Sequence, residues 1–184
     1  EQDKYKEAAA HFAQVGIYQS RLFAIKCSYH VDEASVFSEK LDSLINGGEV
    51  NAVIGSLVFC AYTKHGISKA NPFCAEPLNY VFQTDLNTQC DFETVFDKTA
   101  QGILQDPTVS HKDQVHLSNG VQTAGNFFTL EQVVKTEIEE IIREEITKYK
   151  SRFEDSAEGL FKHWPDSYEI SGWLVSMQSG GTLT

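Results

Sequence analysis

The sequence predicts an α+β protein, and three observations carry that expectation. Its first part holds four segments whose apolar residues recur at helical spacing, each set off by glycine. A break bearing two prolines at 71–77 ends them, because proline lacks a backbone donor and restricts its predecessor. Beyond it lie segments that are rich in β-branched and aromatic residues or that alternate with period two, as strands do.

The helices come first. Tyr5, Ala8, Ala9, Phe12 and Val15 make one apolar stripe. Leu22, Phe23, Ile25 and Cys27 make a second within Ile17 to Tyr29. Val36, Phe37, Leu41 and Leu44 face inward between Val31 and Ile45, and Val50 to Tyr62 is the fourth segment. Gly16, Gly47, Gly48 and Gly66 punctuate them, as helix ends prefer. Helices of this length in antiparallel pairs suggest tetratricopeptide-like hairpins, and Ala8 with Phe12 fits the A-x-x-x-F element of such repeats. This sets a helical region over 1–70 and a second region over 71–184.

In the second region, Leu78 to Thr84 reads as a strand and Phe92 to Leu104 as a helix with Val95, Phe96, Thr99 and Ile103 on one side. Asp106 to Phe128 reads as irregular and polar. Thr129, Leu130, Glu131 and Gln132 form a capping box, opening one helix that runs to about Phe153. Its stripe includes Leu130, Val133, Val134, Ile138, Ile141, Ile142 and Ile146, with Glu139–Arg143 and Glu144–Lys148 pairs opposite. Trp164 and Pro165 break the chain. Tyr168 to Gln178 is a strand, and Ser179, Gly180 and Gly181 supply a turn after it.

Charge narrows the functional classes. With 26 acidic against 15 basic side chains the formal charge is −11, which argues against a nucleic-acid or anionic-membrane surface. Cys27, Cys60, Cys74 and Cys90 contain no C-x-x-C pair, so a zinc knuckle has little support. Reduced, mostly buried thiols are expected, and with no visible signal peptide the expected compartment is the cytoplasm. No apolar run approaches the length of a membrane span. The opening residues Glu-Gln-Asp-Lys suggest a start inside a longer protein.

Two stretches carry candidate chemistry. His111-Lys112-Asp113 is an H-x-D triplet with His163 downstream, the pattern by which two histidines and a carboxylate hold iron on one face. Against it stand the long intervening helix and the lack of any Lys or Arg after Lys162 to hold an oxo-acid. Surface histidines at 111, 116 and 163 are expected instead. Asn119 to Asn126 gathers amides and hydroxyls with two glycines, suited either to orienting a polar ligand or to satisfying its own backbone. It lacks the glycine spacing and the Gly-Lys-Ser/Thr of a phosphate loop. No G-x-S-x-G or paired Cys/His nucleophile is present.

Taken together, NPFCAEPLNYV at 71–81, LSNGVQTAGNFF at 117–128 and HWPDSYEISGWLVSMQSGGTL at 163–183 resemble a known family. It is that of the Fe(II)/2-oxoglutarate-dependent oxygenases found C-terminal to tetratricopeptide repeats. The resemblance implies that 71–184 is the helical front and first strands of an incomplete double-stranded β-helix, or jelly roll. It also implies that the sequence stops just before the family's Pro-His-x-His metal segment. Fe(II) and 2-oxoglutarate are implied for the full-length protein and neither for these residues alone, so no catalytic or metal-binding residue is assigned. Gln122, Thr123, Asn126 and Trp173 lie in the matching blocks and are the candidates for lining the pocket. Support of the strands that follow is the other role they fit. The substrate would be a protein or a small molecule, with no nucleic acid or membrane partner. A sheet cut short would expose an edge at 173–178, which invites self-association. The competing expectation is a non-catalytic helical-repeat interaction module with a small α+β cap.

Overall fold

The structure, a computed structural model, describes residues 2–112, 114–134 and 136–183. It is α+β. The chain runs α1 (Gln2–Gln14), α2 (Tyr18–His30), α3 (Ala34–Asn46), α4 (Ala52–His65) and α5 (Lys98–Gln105). There follow β1 (His111–Lys112), β2 (Leu117–Thr123), α6 (Glu131–Val134), α7 (Ile138–Arg152), α8 (Gly159–Lys162) and β3 (Val175–Leu183). The fold divides into two compact units. One holds the residues up to Val81 with Phe153–Trp164, and the other holds Phe82–Arg152 with the residues from Pro165 onward. The expected boundary near residue 70 falls inside the first unit. No helix among the described residues is long and apolar enough to cross a membrane.

In the first unit α1 to α4 each pack against the next, as short connections between helices favour. The core is Ile25, Phe37, Leu41, Leu44, Ile54, Leu57, Val58 and Ala61. Phe37, Leu41 and Leu44 lie on one helical face and are at most 1% exposed. Burying each such side chain contributes about 1.5–3 kcal/mol. Phe23, expected inward, is 49% exposed and stacks on Phe12 at 5.2 Å instead. Asn51 caps α4: its Oδ1 accepts from Val53 N at 3.0 Å and Ile54 N at 3.1 Å. Gly66 closes α4 at φ 65°, the left-handed position glycine tolerates. Cys27 and Cys74 are buried, Cys60 and Cys90 half-buried, and all four are free thiols.

The strand expected at Leu78 to Thr84 is absent. Pro77–Tyr80 forms a single 3-10 turn instead. Pro77 presets the helical φ, Asn79 N donates to Glu76 O at 3.0 Å, and no strand among the described residues pairs with Leu78 or Val81, which are 84% and 71% exposed. Tyr80 anchors the turn through ring contacts with Phe153 at 5.2 Å and Phe161 at 5.1 Å. Strand propensity without a partner lost to a local turn.

The same unit contains the tightest backbone approach in the chain's glycines. A Cβ on Gly159 would stand 2.1 Å from Pro72 O and 2.6 Å from Val50 Cγ1. Leu160 N donates to Phe73 O at 2.7 Å, and Ala75 N donates to Glu158 Oε2 at 3.0 Å, so α8 is held against 72–75. Gly159→Ala is therefore expected to destabilise the fold by about 1–3 kcal/mol. Urea unfolding checks this: the midpoint should fall while the slope holds. An unchanged midpoint would mean the approach is loose.

The second unit holds α5, α6 and α7 and a three-stranded antiparallel sheet of order β1-β2-β3. Its core is Ile103, Val109, Val133 and Ile138, with Phe96, Phe127, Phe128 and Leu174 packed on it. The helix expected at Phe92 to Leu104 forms, beginning with a wide π turn at Glu93–Asp97 that leads into α5. The stretch 106–128, expected to be irregular, contains β1 and β2. β3 thus finds its partner earlier in the chain. Gln122, Val121 and Gly120 pair with Val175, Ser176 and Met177, and Ser118 and Leu117 with Thr182 and Leu183. Between the two registers, residues 178–181 oppose Asn119 alone, so the expected Ser179-Gly180-Gly181 turn is a bulge within β3. Asn119 at φ 49° and Gly180 at φ 78° provide the left-handed geometry it needs. β3 ends the strand order, and its outer edge has no strand partner among the described residues.

The single helix expected from the capping box is two, α6 and α7. Thr129 Oγ1 donates backward to Asn126 O at 2.8 Å, and Gln132 Nε2 donates to Asp106 Oδ2, so neither completes the box. Thr136 breaks the ladder: its hydroxyl donates to Val133 O at 2.7 Å and accepts from Ile138 N at 3.4 Å. Glu139 and Arg143 pair at 2.7 Å as expected, whereas Lys148 turns to Glu145 at 2.6 Å rather than to Glu144.

Asp106 ends α5 and accepts from Thr108 N at 2.8 Å and Thr108 Oγ1 at 2.6 Å. The Thr108 hydroxyl bond, with that backbone bond and Gln132, holds its carboxyl below the usual carboxylate range. A depressed folded pKa adds stability above the unfolded value, about 4, and that stability is lost as pH falls through the folded value. Asp106→Asn should therefore flatten the acid limb of stability against pH below about pH 4 relative to the parent chain. Urea midpoints across that range decide it, and parallel limbs would remove Asp106 from the account.

Candidate functional site

The four candidates converge where β2 ends. β2 delivers Gln122 and Thr123 into the interior, at 6% and 1% exposure. Strand alternation alone would bury one and expose the other. Both are buried here, where β1 pairs along one edge of β2, with His111 opposite Thr123, and residues 174–175 run along the other.

Thr123 works through backbone and side chain together. Its N–H donates to Leu174 O at 3.0 Å, and its Oγ1 accepts from Leu174 N at 3.0 Å. The hydroxyl takes the place of a carbonyl and extends the β2–β3 ladder past Val175. Ala124 N then donates to Ser110 O at 2.8 Å, on the β1 side.

Asn126 fastens the next turn. Its Oδ1 accepts from Phe128 N at 3.2 Å and Gly172 N at 3.1 Å, and its Nδ2 donates to Ile170 O at 3.4 Å. Phe127 N donates to Gly172 O at 2.7 Å beside it. Gln122 Oε1 accepts from Gln114 Nε2 at 2.8 Å. The hydroxyl of Thr123 and the amide of Asn126 are thus engaged by this chain's own backbone. Trp173 sits between the two fastened residues Gly172 and Leu174, and is 62% exposed.

A cavity of about 270 Å³ lies beside Phe128, between Val133, Thr136, Glu139 and Arg143. None of the four candidates lines it. Part of its charged rim is already paired: the hydrogen bond to Glu139 raises the Arg143 pKa, and the guanidinium lies 5.2 Å from the Tyr168 ring centroid. Its one lining cation among the described residues is thus engaged within the chain, and Glu140 adds a negative charge to the rim.

The histidine pattern does not assemble. His111, His116 and His163 are exposed, His111 and His163 belong to different units, and Asp113 lies outside the described residues. Among the described residues no group of three or more His, Cys, Asp or Glu side chains could hold a metal ion. No pattern of residue types marks the partners Ile170, Gly172, Leu174 and Ser110, which take part through backbone atoms. Only the adjacency of β2 to 170–175 identifies them.

This geometry makes Thr123 and Asn126 testable as fasteners. Thr123→Val would leave the half-buried Leu174 amide without its acceptor, costing about 1 kcal/mol. Asn126→Ala would strand the amides of Phe128 and Gly172 at similar cost. Both variants should speed hydrogen exchange at the amides named. Normal protection at Leu174 in Thr123→Val would show that the hydroxyl is not what holds that strand.

No family model, curated protein or solved structure matches this chain.

Proposed function

We propose that this chain is the leading part of an Fe(II)/2-oxoglutarate-dependent oxygenase of the hydroxylase type. Tetratricopeptide-like hairpins form its front, and the first strands of a jelly roll follow. The observation that carries this reading is the pairing of two blocks that bear the resemblance. LSNGVQT at 117–123 lies antiparallel to VSMQSGGTL at 175–183, and Thr123 and Asn126 secure the approach between them. A helical-repeat scaffold has no need of such a pair.

The described residues do not fit an iron site, since no three-ligand group is present among them. In this reading the ligands for iron and 2-oxoglutarate lie on other residues. Gln122, Thr123 and Asn126 would hold the strands that frame the pocket, and Trp173 would face it.

Sequencing the transcript through the Thr184 codon tests the proposal. A Pro-His-x-His run followed by a strand with Trp and Gly is the expected result, and a continuation without His and carboxylate ligands would overturn it. Calorimetry adds a second arm. Mn(II) with 2-oxoglutarate should not bind the 184-residue chain. Micromolar binding would return the His111, Asp113 and His163 set and defeat the ligand placement.

One observation favours the interaction module as a second reading. On α4, Phe59 and Tyr62 are 42% and 64% exposed on the face turned from the core, as a partner-binding helix would present them. A stop codon directly after Thr184 would favour this module.

A further inference from the structure

We propose that a cleft between α1, α2 and α3 binds a short-chain aliphatic carboxylate, held by the ammonium of Lys40 and the hydroxyl of Ser43 over an apolar floor. The cleft has a volume of about 130 Å³. Ala13 of α1, Arg21, Ala24 and Ile25 of α2, and Lys40, Ser43 and Leu44 of α3 line it. Residues 21, 24 and 25 share one face of α2, and 40, 43 and 44 share one face of α3, so the lining follows from helical periodicity.

Lys40 is the unusual member. It is half-buried, and its Nζ donates to Ser28 Oγ at 3.0 Å. Ser28 is 1% exposed, and its hydroxyl donates to Ala24 O at 2.9 Å. An ammonium carries three donors, so this bond leaves two. No carboxylate lies within ion-pair distance of Lys40 among the described residues. Lys64 and Lys69 in the same unit each hold one, Asp32 and Asp42, at 2.6 Å. A partly buried cation without a counter-charge is costly, and an incoming anion would relieve it.

The lining sets the class of anion. Lys40 and the hydroxyl of Ser43, which has no partner among the described residues, offer donors for the two oxygens of one carboxylate. Ala13, Ala24, Ile25 and Leu44 offer an apolar surface to an alkyl tail. A multiply charged anion such as sulfate would lose hydration against that surface without enough donors to replace it. Arg21 also lines the cleft, half-exposed and 3.8 Å from Glu49.

The test titrates sodium butyrate into the 184-residue chain. Backbone amide shifts are followed by NMR, with sodium chloride at matched ionic strength as reference. Saturable shifts centred on Ala24, Ile25, Ser43 and Leu44 are expected, with affinity lowered about tenfold in Lys40→Met. Ser43→Ala serves as a second variant, expected to weaken binding in the same direction should Lys40→Met disturb the fold. Absence of saturable shifts overturns the proposal, as does unchanged affinity in a folded Lys40→Met or in Ser43→Ala. Sulfate binding as tight as butyrate would overturn the assignment to a carboxylate.

Discussion

The second unit depends on pairing the backbone of residues 170–175. This segment leads into β3, and its amides and carbonyls need partners before the ladder proper begins at Val175. Side chains provide part of that pairing. Thr123 Oγ1 takes the Leu174 amide, Asn126 Oδ1 takes the Gly172 amide, and Asn126 Nδ2 reaches the Ile170 carbonyl. Leu174 is thereby held where it packs on the core of Ile103, Val109, Val133 and Ile138. Removing either side chain would leave amides unpaired and loosen an apolar contact together.

The same device recurs in the first unit. Asn51 accepts from Val53 N and Ile54 N while its Nδ2 donates to Tyr18 OH at 2.6 Å. Asn71 accepts from Phe73 N at 3.0 Å and Cys74 N at 3.2 Å while donating to Gly55 O at 3.1 Å. Asn51 and Asn71 each satisfy two nearby amides with the oxygen and reach a distant segment with the nitrogen, and Asn126 differs in that one of its two amides, Gly172 N, is itself distant. An amide side chain suits this because it accepts and donates from opposite corners. Aspartate at such a position keeps the acceptor and loses the distant tie. Serine keeps a cap but lacks the reach.

How far the sequence disclosed the structure follows from which forces are local. Helices α1 to α4 of the first unit were legible because their apolar period and glycine ends are written in consecutive residues. Phe37, Leu41 and Leu44 are buried where that period places them. β2 was not legible, since Leu117 to Thr123 includes an Asn and a Gly and is a strand only because β3 pairs with it. Leu78 to Thr84 erred in the opposite direction, having strand propensity and no partner. At Thr129 and Gln132 the capping pattern was present, but both side chains found other partners in Asn126 and Asp106. The choice of Gln122, Thr123 and Asn126 identified a convergence of polar groups, and the direction in which each side chain points required the fold.

That direction bears on what the sheet can do. A side chain whose polar atoms are engaged by backbone on both sides is held in one rotamer, which suits it to fixing geometry more than to contacting a ligand. Trp173 differs, because its neighbours Gly172 and Leu174 are tied down while its indole stands 62% exposed. Fixing the backbone on both sides lowers the entropy lost when an exposed aromatic ring meets another surface. The fasteners and the exposed indole therefore form one arrangement: Thr123 and Asn126 set the position from which Trp173 can act.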